Sequence, residues 1–253
     1  MIKKTVFILV LILLSCKTDK KAKTTPVLVN NLKTDFNDSI ILSYTLNPKN
    51  KNLKFYWKNK EDSIIKTFKN LKIELEKKEQ KLIFAVNGGM FKKDFSPQGL
   101  YIENGNIITT LDTIQKGYGN FYLQPNGIFS LSKKGIPSIS TTSNFIIDNT
   151  INYATQSGPM LVINNKLHPK FNKGSLNLNI RNGVGILPNG DLLFAMSKKK
   201  INFYDFASYF KNKGCKNALY LDGFVSKTYL PSKNWKQLEG NFGVIIAETT
   251  SIK

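Results

Sequence analysis

Two apolar segments of the chain end abruptly in polar residues beside glycine. Asn87-Gly88-Gly89 closes one segment and Asp222-Gly223 closes the other. An amide or a carboxylate at the end of a buried strand is held by the sheet yet faces a loop, which suits a preorganised site. Asn–Gly and Asp–Gly pairs are also typical of tight turns, where they need have no functional role. The residues alone leave both interpretations open.

Arg181 is the single arginine among 37 basic residues. Its planar guanidinium offers two parallel donors to a carboxylate or a phosphate, a geometry that lysine cannot copy. The residue type fits a binding or catalytic role and a buried structural ion pair equally well, because both would use this geometry.

Three further positions carry groups that suit a site. His168, the single histidine, could act as a general acid or base near neutral pH, but beside Pro169 a structural role is the simpler interpretation. Gln156 and Ser157 precede Gly158, and they either line a cleft or belong to a turn.

The sequence offers no pattern for a bound cofactor or metal ion. No Ser-His-Asp set, Walker loop or histidine-rich spacing occurs. Three aspartates could hold calcium, but they lack EF-hand spacing: Asp94, Asp112 and Asp205. We therefore expect neither a cofactor nor a metal site.

The elements that must position these residues are mainly strands. Apolar runs predict strands over 40–46, 53–57, 81–86, 218–221 and 242–247. Apolar residues at helical spacing predict one helix from Ser63 to about Gln80, capped by Asp62 or Ser63, and a second from Phe203 to Asn212, capped by Asn202 and stopped at Gly214.

Turn residues divide the middle of the chain into hairpins. The predicted turns are Asn104-Gly105, Pro125-Asn126-Gly127, Asn164-Asn165 and Pro188-Asn189-Gly190. The fold class predicted from these elements is α+β: a single domain with a β-rich mixed sheet, hairpins and about two flanking helices.

The N-terminal segment has the features of a lipoprotein signal. A basic start and a nine-residue apolar run, too short to span a bilayer, lead to Leu14-Ser15-Cys16. We expect residues 1–15 to be a signal peptide, Cys16 to carry lipid, 16–26 to form a flexible tether and 27–253 to fold. An ordinary secretory signal is the alternative. The expected location is the cell envelope, at the outer membrane of a Gram-negative bacterium.

The mature chain would be strongly basic. Removing residues 1–15 leaves 35 basic against 17 acidic residues. Such a surface favours anionic partners, although scattered lysines also make an ordinary solvated surface. No nucleic-acid motif occurs, so the expected partners are an anionic or phosphorylated glycan and, through the lipid anchor, a membrane. We expect a monomer.

Several segments resemble, in order, those of the phosphodiester glycosidase family, and most closely its bacterial envelope branch. They are Ala85-Val86-Asn87-Gly88-Gly89-Met90-Phe91, Ser96-Pro97-Gln98-Gly99-Leu100-Tyr101, Asn120-Phe121-Tyr122-Leu123-Gln124-Pro125-Asn126-Gly127, Ala154-Thr155-Gln156-Ser157-Gly158-Pro159-Met160-Leu161, Ile180-Arg181-Asn182-Gly183-Val184-Gly185 and Leu219-Tyr220-Leu221-Asp222-Gly223.

This resemblance implies a cleft formed by three loops. Asn87, Arg181 and Asp222 would be catalytic. Gly88, Gly89 and Gly223 belong to the same loops and would bind substrate. Apart from the resemblance, we expect further substrate contacts from Gln156, Ser157, Gly158, His168, Asn182 and Ser226. This chain departs from the family pattern at Phe224, where small residues are usual, so the substrate can differ from that of better-known relatives.

The resemblance implies hydrolysis of a sugar phosphodiester or a related glycosidic linkage. Because the leaving group is a phosphate monoester, a strong general acid is less necessary than in ordinary glycosidases. Asp222 would then stabilise the oxocarbenium-like centre, attack it or activate water, while Arg181 neutralises the phosphate. The alternative is a non-catalytic lipoprotein that binds phosphorylated or anionic glycans in the same cleft.

Overall fold

The structure, a computed structural model, describes residues 39–252. The expected signal peptide, lipidated Cys16 and tether lie outside the described residues. The helices are α1, Phe68–Glu76, and α2, Phe203–Asn212. The strands are β1 Ile41–Leu46, β2 Asn52–Tyr56, β3 Gln80–Asn87, β4 Tyr101–Glu103, β5 Asn106–Thr109, β6 Gly127–Ser132, β7 Pro137–Thr141, β8 Ile151–Ser157, β9 Met160–Ile163, β10 Lys166–Leu167, β11 Asn182–Ile186, β12 Leu192–Ser197, β13 Ala218–Tyr220, β14 Thr228–Leu230, β15 Trp235–Lys236 and β16 Ile245–Ser251.

The strands form three sheets. Their orders are β1-β12-β11-β13-β9-β10, β15-β14-β3-β16-β2 and β5-β4-β8-β6-β7. Two helices flank them, which confirms the α+β class. Every strand pairing within residues 39–252 is antiparallel, so the expected mixed sheet is instead three antiparallel sheets.

The main core lies where the three sheets meet. Phe84 of β3, Phe129 of β6 and Phe194 of β12 each come from a different sheet, and all are buried. The Phe194 ring centre lies 5.1 Å from that of Phe84 and 6.0 Å from that of Phe129. Burying one such side chain contributes roughly 1.5 to 3 kcal/mol, so these contacts tie the sheets into one unit.

The second helix follows its sequence pattern and the first does not. Helix α2 spans the predicted residues, and the Asn202 side chain accepts a hydrogen bond from the Asp205 N–H as N-cap. Helix α1 is shorter than predicted and is capped by Thr67. Asp62 and Lys66 have positive φ angles, 61° and 62°, so the chain cannot be helical where the cap was expected.

Three of the four predicted hairpin turns are confirmed and one is wrong. Asn104-Gly105 joins β4 to β5, Asn164-Asn165 joins β9 to β10, and Pro188-Asn189-Gly190 joins β11 to β12. Pro125-Asn126-Gly127 instead leads from a short 3-10 helix into β6, whose partners β7 and β8 both follow it in sequence. Turn residues alone did not distinguish a strand entry from a hairpin.

Four strands place their ends together at one end of the molecule. Asn87 ends β3, Ser157 ends β8, Asn182 begins β11 and Tyr220 ends β13. We call this the upper end. The lower end is formed by the opposite ends of the same sheets, where Leu46 of β1 pairs with Leu192 of β12.

Residues 39–252 contain no helix long and apolar enough to cross a membrane. The same residues contain no group of three or more histidine, cysteine or acidic side chains arranged to hold a metal ion.

Candidate active site at the upper end

Asn87 connects three segments at the upper end. Its side-chain Nδ2 donates a hydrogen bond of 2.6 Å to the backbone carbonyl of Asp222. Its Oδ1 accepts from the Lys227 N–H at 3.0 Å and from Asn182 Nδ2 at 2.9 Å. The side chain is buried, so each bond replaces solvation that the amide has lost. The amide thus fixes the loop that carries Asp222.

Asn182 completes the amide pair from the neighbouring sheet. Its Nδ2 also donates to the Asn87 carbonyl at 3.0 Å, and its own carbonyl accepts from the Leu221 N–H at 3.1 Å. Its Oδ1 is buried and has no hydrogen-bond partner. A buried acceptor without a partner is costly, and it marks a position that a ligand or a water molecule can satisfy.

Asp222 lies two residues after the end of β13, and it is half-buried. Its backbone N–H donates to the Gly88 carbonyl at 3.0 Å, and its Oδ1 accepts from the Phe224 N–H at 3.2 Å. Burial raises the pKa of Asp222 to about 6, although the bond from Phe224 acts to lower it. A carboxyl group that titrates near neutral pH in a loop cleft is suited to acid–base or nucleophilic chemistry.

Gly88 and Gly89, in the loop after β3, have no room for a side chain. A Cβ added to Gly88 would lie 2.7 Å from Val244 Cγ1, and one on Gly89 would overlap Thr155 Oγ1 and lie 2.5 Å from the Gln156 carbonyl. Neither residue has a positive φ, so the backbone conformation does not require glycine at these two positions. The loop is instead wedged between β16 and β8.

Gly223 lies directly against the Tyr220 hydroxyl, where an added Cβ would overlap the oxygen. Burial raises the pKa of Tyr220 to about 12, while the positive charge of Arg181 opposes that rise. The Oγ of Ser226 donates to the Gly223 carbonyl at 2.9 Å, which holds the turn after Asp222.

Arg181 is fully buried and contacts the side chain of Tyr220. Its Nε donates to the Ile201 carbonyl at 2.8 Å and its Nη2 to the Asn177 carbonyl at 2.8 Å. Its guanidinium carbon lies 3.5 Å from the centre of the Phe203 ring, and Nη1 is 3.5 Å from the Tyr220 hydroxyl. Burial lowers the pKa of Arg181.

No carboxylate within residues 39–252 forms an ion pair with Arg181. The structure therefore supports neither a buried ion pair nor an open fork for phosphate. It shows a buried cation bonded to backbone carbonyls and stacked on an aromatic ring, which reaches the Asp222 loop through Tyr220.

His168 lies at the far end of the same aromatic stack. Its ring packs on Phe171, with centres 4.7 Å apart, and Phe171 packs on Phe203 at 4.9 Å. Burial lowers the pKa of His168 to about 4, and Nδ1 accepts from the Lys170 N–H at 3.2 Å. The histidine is therefore neutral at pH 7 and is not brought to the Asp222 carboxyl group.

Gln156 supports the fold, and its neighbours border the site. Its Oε1 accepts from the Leu100 and Asp112 N–H groups, and its Nε2 donates to the Asp112 carbonyl at 2.7 Å. A side chain with these partners has little left to offer a ligand. Ser157 has a buried Oγ without a hydrogen-bond partner, and Gly158 packs against Asn126.

Sequence reasoning did not assign a role to Tyr220. It is the residue that joins Arg181 to the Asp222 loop. Strand alternation could have indicated it, because residues two apart on a strand project to the same side.

Comparisons with known proteins identify the family. Residues 80–245 match the family model described as phosphodiester glycosidase. The chain belongs to the phosphodiester glycosidase family. A relative from Escherichia coli strain K12, the uncharacterized protein YigE, is 36% identical over 193 residues, which cover 75% of this chain and 74% of the relative.

Solved structures share the fold at low sequence identity. The catalytic domain of zebrafish N-acetylglucosamine-1-phosphodiester alpha-N-acetylglucosaminidase, auto-inhibited by its pro-peptide, has a TM-score of 0.57 and 13% identity, with 84% of each chain covered. A putative exported protein of Burkholderia pseudomallei has a TM-score of 0.53 and 10% identity, covering 82% of this chain and 73% of that one. These structures place the phosphodiester glycosidase domain of this chain in a shared fold.

Proposed function

We propose that this phosphodiester glycosidase domain hydrolyses a sugar-1-phosphodiester, or a related glycosidic linkage, in the bacterial cell envelope. The observation that carries the proposal is the Asp222 carboxyl group, half-buried at the upper end with a pKa raised to about 6. A binding protein for anionic glycans gains nothing from a carboxylate facing its ligand, because like charges repel. A hydrolase uses that carboxylate for turnover.

In the proposed reaction the bond between the anomeric carbon and the phosphate oxygen breaks. Its electron pair leaves with the phosphate monoester, water supplies the hydroxyl group of the product sugar, and the remaining proton of that water passes to the phosphate monoester or to solvent. Ionised Asp222 attacks the anomeric carbon, activates the water or stabilises the positive charge that develops there. Asn87 Nδ2 donates to the Asp222 carbonyl and the Gly88 carbonyl accepts from the Asp222 N–H, so the carboxylate is oriented before substrate binds.

Arg181 takes a different role from the one expected from the sequence. A guanidinium without exposed surface cannot grip a phosphate from its present position. We propose that it is a positioning residue, which fixes the Tyr220 hydroxyl under Gly223 and so supports the Asp222 loop.

Phe224 is proposed as a contact for the sugar or for the group beyond the phosphate. Its side chain is 97% exposed, although it lies only two residues from Asp222. An aromatic ring beside a glycan site offers an apolar surface for stacking, and the family's usual small residues offer none. Ser157 Oγ and Asn182 Oδ1 are the proposed partners for substrate hydroxyls.

The test is turnover of a sugar-1-phosphodiester series, beginning with an N-acetylglucosamine-1-phosphodiester, by the full-length protein in detergent. Asp222→Asn should abolish turnover while substrate still binds. Asp191→Asn is the matched control, because Asp191 lies in the β11–β12 turn at the opposite end of β11 from Asn182. Binding without turnover by the wild type across the series would favour the alternative, a non-catalytic glycan-binding lipoprotein.

We further propose that the mature protein is a monomer held at the outer membrane by lipid on Cys16. The proposal rests on the basic start, the short apolar run and the Leu14-Ser15-Cys16 sequence. Mass spectrometry of the membrane fraction should find lipid on Cys16 and no residues 1–15, and Cys16→Ala should release the protein. An unmodified Cys16 in the membrane fraction would contradict this.

A further inference from the structure

A groove at the lower end of the molecule is lined by lysine. It has a volume of about 300 Å³ and lies between the turn after β1 and the turn after β6. Five of its 13 lining residues are lysine, against 37 basic residues among 253 in the chain, and none is acidic. The lysines are Lys49, Lys51, Lys54, Lys133 and Lys134. Lysine thus makes up a larger share of the groove lining than of the chain as a whole.

The two turns that form the walls are packed against each other. A Cβ added to Gly135 would lie 2.8 Å from the Pro48 carbonyl oxygen. The Lys133 N–H donates to the Thr150 carbonyl at 2.8 Å, and the Lys134 N–H donates to Ser132 Oγ at 3.3 Å. The backbone that carries the lysines is therefore held in place before any ligand binds.

The positive charge in the groove is largely unneutralised. Lys51 pairs with Glu248 at 3.5 Å, and Glu248 also accepts a hydrogen bond from the Tyr44 hydroxyl. Within residues 39–252, the other four lysines have no carboxylate within ion-pairing distance. Like charges that line one groove repel one another, so an anion that bridges them relieves the repulsion as it binds.

The groove is remote from the candidate active site. Strand β16 pairs Thr249 with Asn52 beside the groove and Ile245 with Asn87 at the upper end. On β8, Tyr153 lines the groove and Ser157 lies at the upper end. At about 3.3 Å per residue, four residues of strand separate the two places by roughly 13 Å, before side chains and turns are counted.

We propose that this groove binds a polyanionic chain with several phosphate groups, at a site separate from Asp222. A single phosphate group carries at most about two negative charges, which cannot neutralise four lysines. Successive phosphates along a polymer can contact both walls at once. Lysine, a compact ammonium on a flexible stem, suits a ligand whose phosphates vary in position.

The experiment measures binding of labelled inorganic polyphosphate to full-length protein in non-ionic detergent, by fluorescence anisotropy over a series of salt concentrations. The double variant Lys133→Gln/Lys134→Gln should weaken binding about tenfold and make the dependence of affinity on salt less steep, because fewer counterions are released. Its melting temperature should stay unchanged, since both side chains are exposed.

The matched control is Lys92→Gln/Lys93→Gln, another adjacent pair of exposed lysines, which follows the glycine loop at the upper end. It makes the same change in net charge and should leave the affinity for polyphosphate near that of the wild type. Equal losses in the two double variants would overturn the proposal in favour of general attraction to a basic protein. Binding of inorganic phosphate as tight as that of polyphosphate, or binding only to vesicles that contain phosphatidylglycerol, would overturn it as well.

Discussion

The side-chain Nδ2 of Asn87 lies 2.6 Å from the backbone carbonyl oxygen of Asp222, across 135 residues of sequence. Asn87→Asp keeps the acceptor for Lys227 and Asn182, replaces this donor with an oxygen and adds a negative charge near Asp222. We expect the free energy of unfolding to fall by about 1 to 3 kcal/mol, because a buried bond is lost. The added charge should also raise the pKa of Asp222 and shift the pH profile of activity upward.

The control for that shift is Asn87→Ala, which loses the bond without adding charge. It should lower stability and turnover while leaving the midpoint of the pH profile near that of the wild type. An equal shift in both variants would show that the charge is not responsible.

The free energy of unfolding should change with pH as Asp222 ionises. Its pKa is about 6 in the folded protein and near 3.8 in an unfolded chain, so the folded state binds the proton more tightly. Stability therefore decreases as pH rises from about 4 to about 6 and is level above that range. Asp222→Asn should be more stable than the wild type above pH 6, by on the order of 1 to 3 kcal/mol, and equal to it below pH 4.

Activity should also depend on the ionisation of Asp222, but it should rise with pH where stability falls. If ionised Asp222 performs the reaction, kcat/KM rises about tenfold per pH unit below pH 6 and reaches a plateau above it. A profile that instead falls above pH 6 would assign Asp222 as a general acid and contradict the proposed role.

His168 should affect acid stability and not turnover. Its pKa is lowered to about 4 by burial, so between about pH 6.5 and pH 4 the unfolded chain binds the proton more readily, and stability decreases as pH falls through this window. His168→Phe keeps a ring in the stack on Phe171 and should remove that decrease. Activity at pH 7 should be retained, whereas a loss of a hundredfold or more would indicate general acid–base catalysis by His168.

The parts of the fold predicted from sequence are those fixed by neighbours in the chain. Helix α2 needed only its apolar periodicity and the Asn202 cap, both local. The start of α1 failed because Lys58 pairs with Ile64 in a β-bridge, a tertiary contact that overrides helical spacing. Local patterns therefore predict elements better than they predict boundaries.

The same division holds for the candidate site. The residue types at Asn87, Arg181 and Asp222 and the family resemblance singled out these three positions. The 95-residue separation of Asn87 and Asn182 conceals their hydrogen bond, and nothing local reveals that the partners of Arg181 are backbone carbonyls. Chemistry can thus be assigned to residue types, whereas contacts require the fold.

Gly223 should tolerate no side chain. A Cβ there overlaps the Tyr220 hydroxyl, so Gly223→Ala must displace the loop that carries Asp222. We expect turnover to fall by roughly a hundredfold, because misplacing a catalytic group by about 1 Å has that effect. Gly174→Ala is the control: its φ of 76° makes alanine strain the backbone there, but the added Cβ meets nothing within 4 Å, so activity per folded molecule should stay full. Near-normal turnover of Gly223→Ala would show that the loop does not position the carboxylate.

Arg181→Lys distinguishes support of the fold from contact with a phosphate. A lysine ammonium is a single nitrogen, which cannot occupy the positions of both Nε and Nη2, so it leaves the Ile201 or the Asn177 carbonyl without its donor, and an unsatisfied buried carbonyl costs about 1 to 3 kcal/mol. The loss of guanidinium stacking on Phe203 adds to that cost. We therefore expect a melting temperature lower by several degrees, together with a lower kcat per folded molecule at a near-normal KM, because the Tyr220 hydroxyl is no longer held under Gly223.

The opposite result would assign Arg181 to the phosphate. A ten- to hundredfold loss of kcat/KM at an unchanged melting temperature is about the effect of losing one charge-assisted bond of 1.5 to 3 kcal/mol. It would require the guanidinium to leave its carbonyl partners when substrate binds. Tyr220→Phe then separates the remaining possibilities, because it removes the hydroxyl between Arg181 and Gly223 while leaving both carbonyl bonds. If Arg181 positions the Asp222 loop through Tyr220, this variant loses turnover and keeps most of its stability.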